Sequence, residues 1–235
     1  MSMSAAEPSY YLRLLAALGS HYCPACFSPA DFAKESRCYG ACSTRARMDP
    51  LLPSHPAIAS AGFVDFYEAE PMPGLSASLR AFKYGDLRSR GRALCLLFAA
   101  AVADWAPAID FVVPVASIPE RQKTRGFNQA GWLACSAARA LAIPCHTTLL
   151  RRRPGQAQAR SSGAQRRSLR GQFYCTRQMP TGARVLLVDD VYTTGATAGD
   201  SAQALARAGA GSVHFACLLA TPETRSARRI EPTCL

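Results

Sequence analysis

Residues 185–197 carry the sequence VLLVDDVYTTGAT, in which an apolar run leads into two carboxylates and then into a turn of threonine and glycine. The apolar run, residues 185–188, contains only valine and leucine, which is typical of a strand buried on both faces of a parallel sheet. Asp189 and Asp190 follow it directly, so we expect them at the carboxyl edge of the sheet, where ligands bind in open α/β folds. The segment therefore predicts a ligand site at the end of a buried strand.

The turn that follows the two carboxylates predicts a binding site for a phosphate group. It consists of Thr193, Thr194, Gly195, Ala196 and Thr197. Backbone N–H groups and threonine hydroxyls would surround an anion at the positive end of the helix that starts here, and glycine lets the backbone approach closely. The carboxylates just upstream can accept hydrogen bonds from the vicinal hydroxyls of a ribose. Together these features predict a site for ribose 5-phosphate.

Two other kinds of nucleotide site are disfavoured by the same sequence. An acidic pair after an apolar strand also occurs as the Walker B element of nucleoside triphosphatases, but the chain has no Walker A loop, G-x-x-x-x-G-K-[ST]. A dinucleotide-binding loop is disfavoured too, because Gly209-Ala210-Gly211 follows a predicted helix and lacks the third glycine.

The rest of the chain predicts an α/β fold with a mostly parallel sheet flanked by helices. Apolar spacing predicts helices at residues 75–82, 94–102, 127–141 and 198–208. Short apolar runs predict strands at residues 111–115, 185–188 and 213–219. Residues 149–170 contain seven arginines and no apolar periodicity, so they predict a long mobile loop.

The distribution of charge favours a phosphate-rich ligand. The chain has 27 Lys and Arg against 16 Asp and Glu, a net charge of +11. From residue 121 to residue 188 there are thirteen basic residues and no acidic one, which more than accounts for that excess. A high arginine content also fits a GC-rich genome, so it is the uneven distribution that indicates an anionic partner.

Length and composition exclude several classes of protein. With 235 residues, of which 49% are hydrophobic and 18% charged, the chain fits a globular domain with a small appendage and does not fit a disordered protein. Its longest apolar run, residues 93–103, is shorter than the roughly 18 residues that cross a bilayer. The N-terminus also lacks the pattern of a secretory signal. We therefore expect a cytoplasmic protein with no membrane insertion.

Four of the ten cysteines are clustered near the N-terminus and predict a structural zinc site. They are Cys23, Cys26, Cys38 and Cys42. Four thiolates in one short segment can form a closed tetrahedral site, and a reducing compartment favours zinc over two disulfides. His21 is an alternative ligand. The proline-rich stretch at residues 50–56 predicts a linker, which divides the chain into an N-terminal segment, 1–55, and a main domain, 56–235.

Over its full length, the segment at residues 185–197 resembles the thirteen-residue phosphoribosyl pyrophosphate (PRPP) motif of type I phosphoribosyltransferases. Other segments in the same order resemble the ComF family, the competence-protein-F and amidophosphoribosyltransferase-like group. These segments are Phe82-Lys83-Tyr84, Val113-Pro114-Val115, Arg125-Gly126-Phe127-Asn128-Gln129-Ala130 and the arginine-rich loop that ends at Phe173. The resemblance covers nearly the whole chain, from Cys23 to about Thr221.

The resemblance implies a type I phosphoribosyltransferase fold and a set of ligand contacts. Asp189 and Asp190 would hold the ribose hydroxyls of PRPP, the threonine-glycine turn would hold the 5′-phosphate, and Mg²⁺ would accompany the pyrophosphate. The pyrophosphate would lie on the loop after the first core strand, which makes Arg121, Lys123 and Arg125 candidate contacts. A solvated basic surface is the alternative for each of the three. The resemblance also implies a role in DNA uptake and natural transformation, with a competence helicase or recombination proteins as partners.

Two functions remain open at this point. The first is a phosphoribosyltransferase acting on an unknown base or amine, through a transition state stabilised by positioning and charge. The second is a single-stranded nucleic-acid-binding protein without transferase turnover, in which the arginine-rich region follows the strand. Aromatic residues that can stack on bases, or instead belong to the core, are Phe127, Trp132, Phe173 and Tyr174.

Overall fold

The structure is a computed structural model, and it describes residues 48–51, 53, 55–66, 73–84, 88–118, 120, 122–123, 126–153 and 171–221. The strands in these ranges are β1 Asp49–Leu51, β2 Ser60–Phe66, β3 Phe111–Pro114, β4 Leu150–Arg152, β5 Phe173–Cys175, β6 Ala183–Tyr192 and β7 Ala210–Ala220. The helices are α1 Pro73–Tyr84, α2 Arg88–Trp105, α3 Gln129–Ala140 and α4 Ala196–Arg207.

Five strands form one sheet in the order β1-β2-β7-β6-β3. The pairs β2–β7, β7–β6 and β6–β3 are parallel, and β1 is antiparallel to β2 at the edge. Strand β6 therefore has a hydrogen-bonded neighbour on each side, as a run of valine and leucine predicts for a buried strand. The predicted α/β fold with a mostly parallel sheet is confirmed.

Helices cover both faces of the sheet, and β6 contributes side chains to the core on each side. Leu186 and Val188 belong to the core that contains buried residues of α1, α2 and α3. Val185 and Leu187 point the other way and belong to the core formed with α4. Because alternate residues of a strand face opposite sides, every position from 185 to 188 is buried. This two-sided burial holds β6 in place and positions the residues that follow on it.

The observed strand β6 is longer than predicted and contains both carboxylates. The prediction ended the strand at Val188, with Asp189 and Asp190 following it at the edge of the sheet, but the strand continues to Tyr192. At Asp189 the strand is still paired with β7, where Cys217 is the partner residue. Two acidic residues end an apolar run in the sequence, whereas backbone pairing with a neighbouring strand does not depend on side-chain polarity.

A small hairpin of β4 and β5 corrects the prediction of a loop from residue 149. The two strands pair antiparallel, with Arg151 opposite Tyr174 and Arg152 opposite Phe173. Leu150 is buried, but two arginines follow it, so β4 has almost no apolar pattern. Its partner lies some twenty residues later, so only tertiary pairing defines the strand. Residues 154–170 lie outside the described residues.

Strands β1 and β2 were also absent from the prediction. Strand β1 lies before the predicted domain boundary at residue 55, and its last two residues fall in the stretch predicted as a linker. It nevertheless pairs with β2 and so belongs to the main sheet. A three-residue strand that contains proline gives too little pattern to be recognised, and only its pairing identifies it. The division into two domains itself stays a prediction.

The packing of α1 against α2 depends on a close approach at Gly91. A Cβ atom at this position would lie 2.2 Å from Cε2 of Phe82. The Phe82 ring is buried, and it also packs against Phe127 and Trp132, with ring centroids 5.0 and 5.4 Å away. Of the four aromatic residues considered for base stacking, Phe127 and Trp132 thus contribute to the core, and Phe173 is fully buried.

Gly91→Ala is expected to lower the free energy of unfolding by about 1–3 kcal/mol, because the added methyl group must displace the buried Phe82 ring. Gly131→Ala on α3 is the matched control, since its Cβ would meet Asn128 at an ordinary 3.5 Å. Alanine is the better helix former, so the control should be neutral or stabilising. Urea denaturation of both variants measures the difference, and equal stabilities would contradict the tight packing.

Candidate functional site

Two consecutive residues near the carboxyl end of β6, Asp189 and Asp190, carry carboxylates. The backbone N–H of Asp190 donates to Oδ1 of Asp189 at 2.8 Å. Oδ2 of Asp190 forms an ion pair with Nζ of Lys83, at the end of α1, at 2.8 Å. Both partners of this ion pair are largely shielded from solvent, with side-chain exposures of 17% and 18%. The structure thus joins the acidic pair to a cation from a distant part of the chain.

The environment of Asp189 favours the protonated carboxyl. Burial, and next to it the charge of Asp190, raise the pKa of Asp189 from 3.8 to about 7. The N–H of Asp190 and the charges of Lys83 and Arg152 act in the opposite direction without cancelling the shift. In the ligand-free protein this carboxyl is therefore poised to change its charge near neutral pH. Ligand groups that donate hydrogen bonds to it would favour the ionised form.

The raised pKa predicts that stability falls as the pH rises. The unfolded chain releases this proton at the ordinary pKa of 3.8, whereas the folded protein keeps it to about 7. Unfolding therefore releases a proton between these values, and the native state loses stability across this interval. Asp189→Asn carries no such charge. Its free energy of unfolding, relative to that of the wild type, should therefore rise by about 1 kcal/mol or more between about pH 4 and pH 8.

Urea denaturation across this pH range measures that gain, and Asp110 provides a control of the opposite sign. The side chain and backbone of Arg184 hold the pKa of Asp110 at about 2. Its contribution to stability is fully present above 3.8 and is lost only as the pH falls toward 2. Asp110→Asn should therefore show a constant difference from the wild type between pH 4 and 8. A constant difference for Asp189→Asn as well would contradict the raised pKa.

The threonine-glycine turn connects β6 to α4 as predicted. Thr193 and Thr194 are exposed, and Gly195 caps the helix in the left-handed conformation, with φ 74° and ψ −1°. The Ala196 N–H lies 3.4 Å from Oγ1 of Thr194, a long contact that leaves the donor available to a better acceptor. The first turn of α4 contains no acidic residue, so no local side-chain carboxylate neutralises the positive end of the helix.

The five predicted turn residues and the acidic pair are therefore contiguous at one edge of the sheet. The candidate pyrophosphate loop leaves the same edge, because β3 is the parallel neighbour of β6. Asn128 is the N-cap residue of α3, but its side chain makes no capping hydrogen bond. Its Nδ2 instead donates to the carbonyl of Val115 at 3.0 Å and so connects the start of the helix to the end of β3. Lys123 is exposed in this loop. Arg121 and Arg125 lie outside the described residues.

Lys83 and Arg152 are site residues that sequence reasoning did not identify as such. Lys83 was noted only as part of a family-like segment, and a lysine in the last turn of a helix usually needs no further explanation. Arg152 was one of many arginines in a predicted loop. In the structure its Nη2 donates to Oε1 of Gln172 at 2.8 Å, and its guanidinium lies 5.4 Å from the Phe173 ring centroid. Its positive charge also acts to lower the pKa of Asp189.

Asp200 on α4 anchors the hairpin that carries Arg152. Its carboxylate accepts three backbone N–H groups, from Gly171 at 2.6 Å, Gln172 at 2.8 Å and Phe173 at 3.1 Å. Asp200 is buried and lies one helical turn after the threonine-glycine turn. The start of β5 and the start of α4 are thus held together by one side chain.

The predicted zinc ligands lie outside the described residues. They are Cys23, Cys26, Cys38 and Cys42. Of the remaining cysteines, Cys95 and Cys217 are buried, as expected for small core residues. Within the described ranges, no group of three or more His, Cys, Asp or Glu side chains is arranged to hold a metal ion. None of the helices in those ranges combines the length and the apolar character that a membrane crossing requires.

The sequence of the site region matches a known family. Residues 133–234, which include β6, the turn and α4, match the phosphoribosyl transferase domain. The chain thus resembles phosphoribosyl transferases over this part of its length. Over 190 residues it is also 28% identical to competence protein ComFC of Bacillus subtilis strain 168, a match that covers 80% of this chain and 73% of ComFC. The resemblance to the ComF family inferred from the motifs is confirmed.

Solved structures that match part of this chain include the following two. Glutamine PRPP amidotransferase from B. subtilis, in complex with ADP and GMP, is 23% identical, with a TM-score of 0.42. The match covers 60% of this chain and only 30% of the amidotransferase chain. Adenine phosphoribosyl transferase from Trypanosoma brucei, in complex with AMP, pyrophosphate and ribose-5-phosphate, is 15% identical, with a TM-score of 0.43. That match covers 77% of this chain and 78% of the enzyme.

Proposed function

We propose that this phosphoribosyl transferase domain binds PRPP, or another ribose 5-phosphate ligand, at the end of β6. The observation that carries the proposal is the contiguity of two half-buried carboxylates with a helix start capped by a left-handed glycine. The carboxylates accept the two vicinal ribose hydroxyls. The backbone N–H groups of residues 194–197 donate to the 5′-phosphate, assisted by the positive end of α4.

Magnesium fits the residues present when it enters with the pyrophosphate. Mg²⁺ is usually held by one or two carboxylates together with substrate phosphates and water, and the described site offers only the two carboxylates of Asp189 and Asp190. Bound there, the ion would neutralise the charge of the pyrophosphate. Arg121, Lys123 and Arg125 remain the proposed contacts for the pyrophosphate, in the loop that leaves the same edge of the sheet.

In the proposed transfer, the chain stabilises charge and needs no covalent nucleophile. Departure of pyrophosphate leaves positive charge on the ribose ring, and carboxylates bound to the adjacent hydroxyls stabilise that charge. Lys83 offsets the mutual repulsion of the carboxylates in the ligand-free protein, since its ammonium lies 2.8 Å from Asp190. When ribose hydroxyls bind to the Asp190 carboxylate, the Lys83 ammonium can pair with the pyrophosphate instead. The acceptor is a base or an amine.

Titration calorimetry with PRPP, with and without Mg²⁺, tests the proposal. The wild type is compared with the double variant Asp189→Asn, Asp190→Asn, and with Asp104→Asn on α2 as a control for the loss of an exposed carboxylate. Magnesium-dependent binding by the wild type and the control, lost in the double variant, is the expected result. A folded wild type that binds no PRPP under either condition would exclude a working ribose-phosphate site.

A role in DNA uptake and natural transformation is proposed from the similarity to ComFC, whose name describes a competence protein. A cytoplasmic location and contacts with a competence helicase or recombination proteins belong to the same proposal. Transformation of a strain that lacks this protein tests it. Wild-type protein should restore transformation, and the variant with both aspartates replaced should not if the ribose-phosphate site is required.

A structural zinc ion is proposed for the four-cysteine segment, on the spacing of its cysteines alone. The purified protein is expected to contain about one zinc per chain, because the four thiolates form one closed site. Replacement of Cys26 by serine should release the metal and expose the remaining thiols to alkylation. Metal analysis that finds no zinc, with all four thiols reactive, would contradict the proposal.

A further inference from the structure

A second cavity lies at the opposite end of α4 from the phosphate-binding turn. It encloses about 350 Å³ between β5 and the last turn of the helix. The lining side chains that carry the argument are Arg153, Tyr174, Gln178 and Arg207. Helix α4 has 12 residues, and a rise of 1.5 Å per residue puts its two ends about 18 Å apart. The lining residues on α4 belong to its C-terminal end, and none of the lining residues is one proposed to bind ribose 5-phosphate.

Tyr174 presents an aromatic surface to this cavity. Its side chain is 41% exposed, and among the described residues no other large hydrophobic side chain is exposed. Its ring belongs to the hairpin anchored by Asp200, so its backbone is held in place. An exposed, positioned aromatic ring is the surface on which single-stranded nucleic acids stack their bases.

Two arginines line the cavity together with the ring. Arg153 lies with its guanidinium carbon 5.4 Å from the Tyr174 ring centroid, and its Nε donates to the carbonyl of Gly171 at 3.2 Å. Arg207, in the last turn of α4, also lines the cavity. Among the described residues, none that lines the cavity is acidic. A lone arginine at a helix C-terminus is explained by the helix dipole, but two arginines around an exposed tyrosine form a site for an aromatic anion.

We infer that this cavity binds one nucleotide unit, with its base stacked on Tyr174 and its phosphate paired with Arg153 and Arg207. The volume lies at the lower end of the range for small-molecule sites, which suits one nucleotide unit. The amide of Gln178 is available to the edge of the base. The unit can come from a free mononucleotide or from a single strand. The inference does not depend on PRPP binding, because none of its residues belongs to that site.

Binding of a labelled deoxythymidine homopolymer, followed by fluorescence anisotropy, and of thymidine monophosphate, followed by calorimetry, tests the inference. Tyr174→Ala should weaken binding about tenfold, as expected for the loss of one stacked base, whereas Tyr174→Phe should bind like the wild type. The double variant Arg153→Ala, Arg207→Ala should also bind weakly. Arg139→Ala, which removes an exposed arginine from α3 on the other face of the sheet, is the control and should have no effect.

The two probes distinguish the sources of the nucleotide, and both sources support the inference. A tyrosine-dependent loss with the homopolymer alone identifies a strand as the ligand, and a loss with the monophosphate identifies a free nucleotide. Saturating PRPP should displace neither probe from this cavity, and Tyr174→Ala should bind PRPP like the wild type. Failure of the wild type to bind either probe, or equal binding by Tyr174→Ala and the wild type, would overturn the inference.

Discussion

Asp200→Ala is expected to lower the free energy of unfolding by about 3 kcal/mol, the largest stability effect among the substitutions considered for α4. The carboxylate accepts N–H groups from Gly171, Gln172 and Phe173. Gly171 is exposed, so its N–H can turn to water, but Gln172 and Phe173 are buried. Two buried donors would lose their partner, at a cost of about 1–3 kcal/mol each.

Thermal and urea denaturation measure this loss, which corresponds to a fall in melting temperature of roughly 10 °C. Asp104→Ala on α2 removes an exposed carboxylate and should change stability by less than about 0.5 kcal/mol. Amide exchange at Gln172 and Phe173 should accelerate in Asp200→Ala well before the rest of the sheet opens. If Asp200→Ala unfolds at the same urea concentration as the wild type, the anchoring role is wrong.

Gly195→Val is expected to weaken PRPP binding by at least about tenfold while the fold persists. Gly195 has a φ of 74°, and a non-glycine residue in this region costs about 1–2 kcal/mol, or more when it is β-branched. The backbone can relieve that strain by leaving the left-handed conformation, which redirects the N–H groups of the turn away from the phosphate. Calorimetry with PRPP and Mg²⁺ measures the loss.

Gly182→Val separates this effect from general strain. Gly182 has a similar φ of 83°, but it precedes β6 and so lies at the opposite edge of the sheet from the acidic pair. This variant should lose stability and keep its affinity for PRPP. Unchanged PRPP affinity in a folded Gly195→Val protein would show that the turn does not hold the phosphate.

Most of the parallel sheet and its helices could be predicted because their signals are local. The apolar run of β6 and the apolar spacing of α3 and α4 each reflect burial of one continuous segment, which the sequence displays directly. Strands β1, β2, β4 and β5 were missed. Strands β1, β4 and β5 have three residues each and are defined by their hydrogen-bonded partners, whereas in β2 a glycine and an acidic residue interrupt the apolar pattern. For β4 that partner is β5, and for β1 it is β2.

The acidic pair and the threonine-glycine turn were recognised for the same reason: they are contiguous in the chain. The other charged groups of the site are not contiguous with them. Lys83 comes from α1 and Arg152 from the hairpin, and each is an ordinary surface residue when considered by position alone. The sequence did not distinguish Tyr174 from the three other aromatic residues considered for base stacking. Only the packing in the structure shows that Tyr174 is exposed.

The sequence by itself determined the strand, the two carboxylates and the threonine-glycine turn, because neighbouring residues along one strand and one helix start keep a geometry that local rules describe. Tertiary structure alone decided which distant cations face those carboxylates and which aromatic ring stays exposed. It also decided that Asp200 accepts the hairpin backbone instead of lying in solvent. Long-range packing brings these groups together, and no periodicity in the chain records which of its charges will meet.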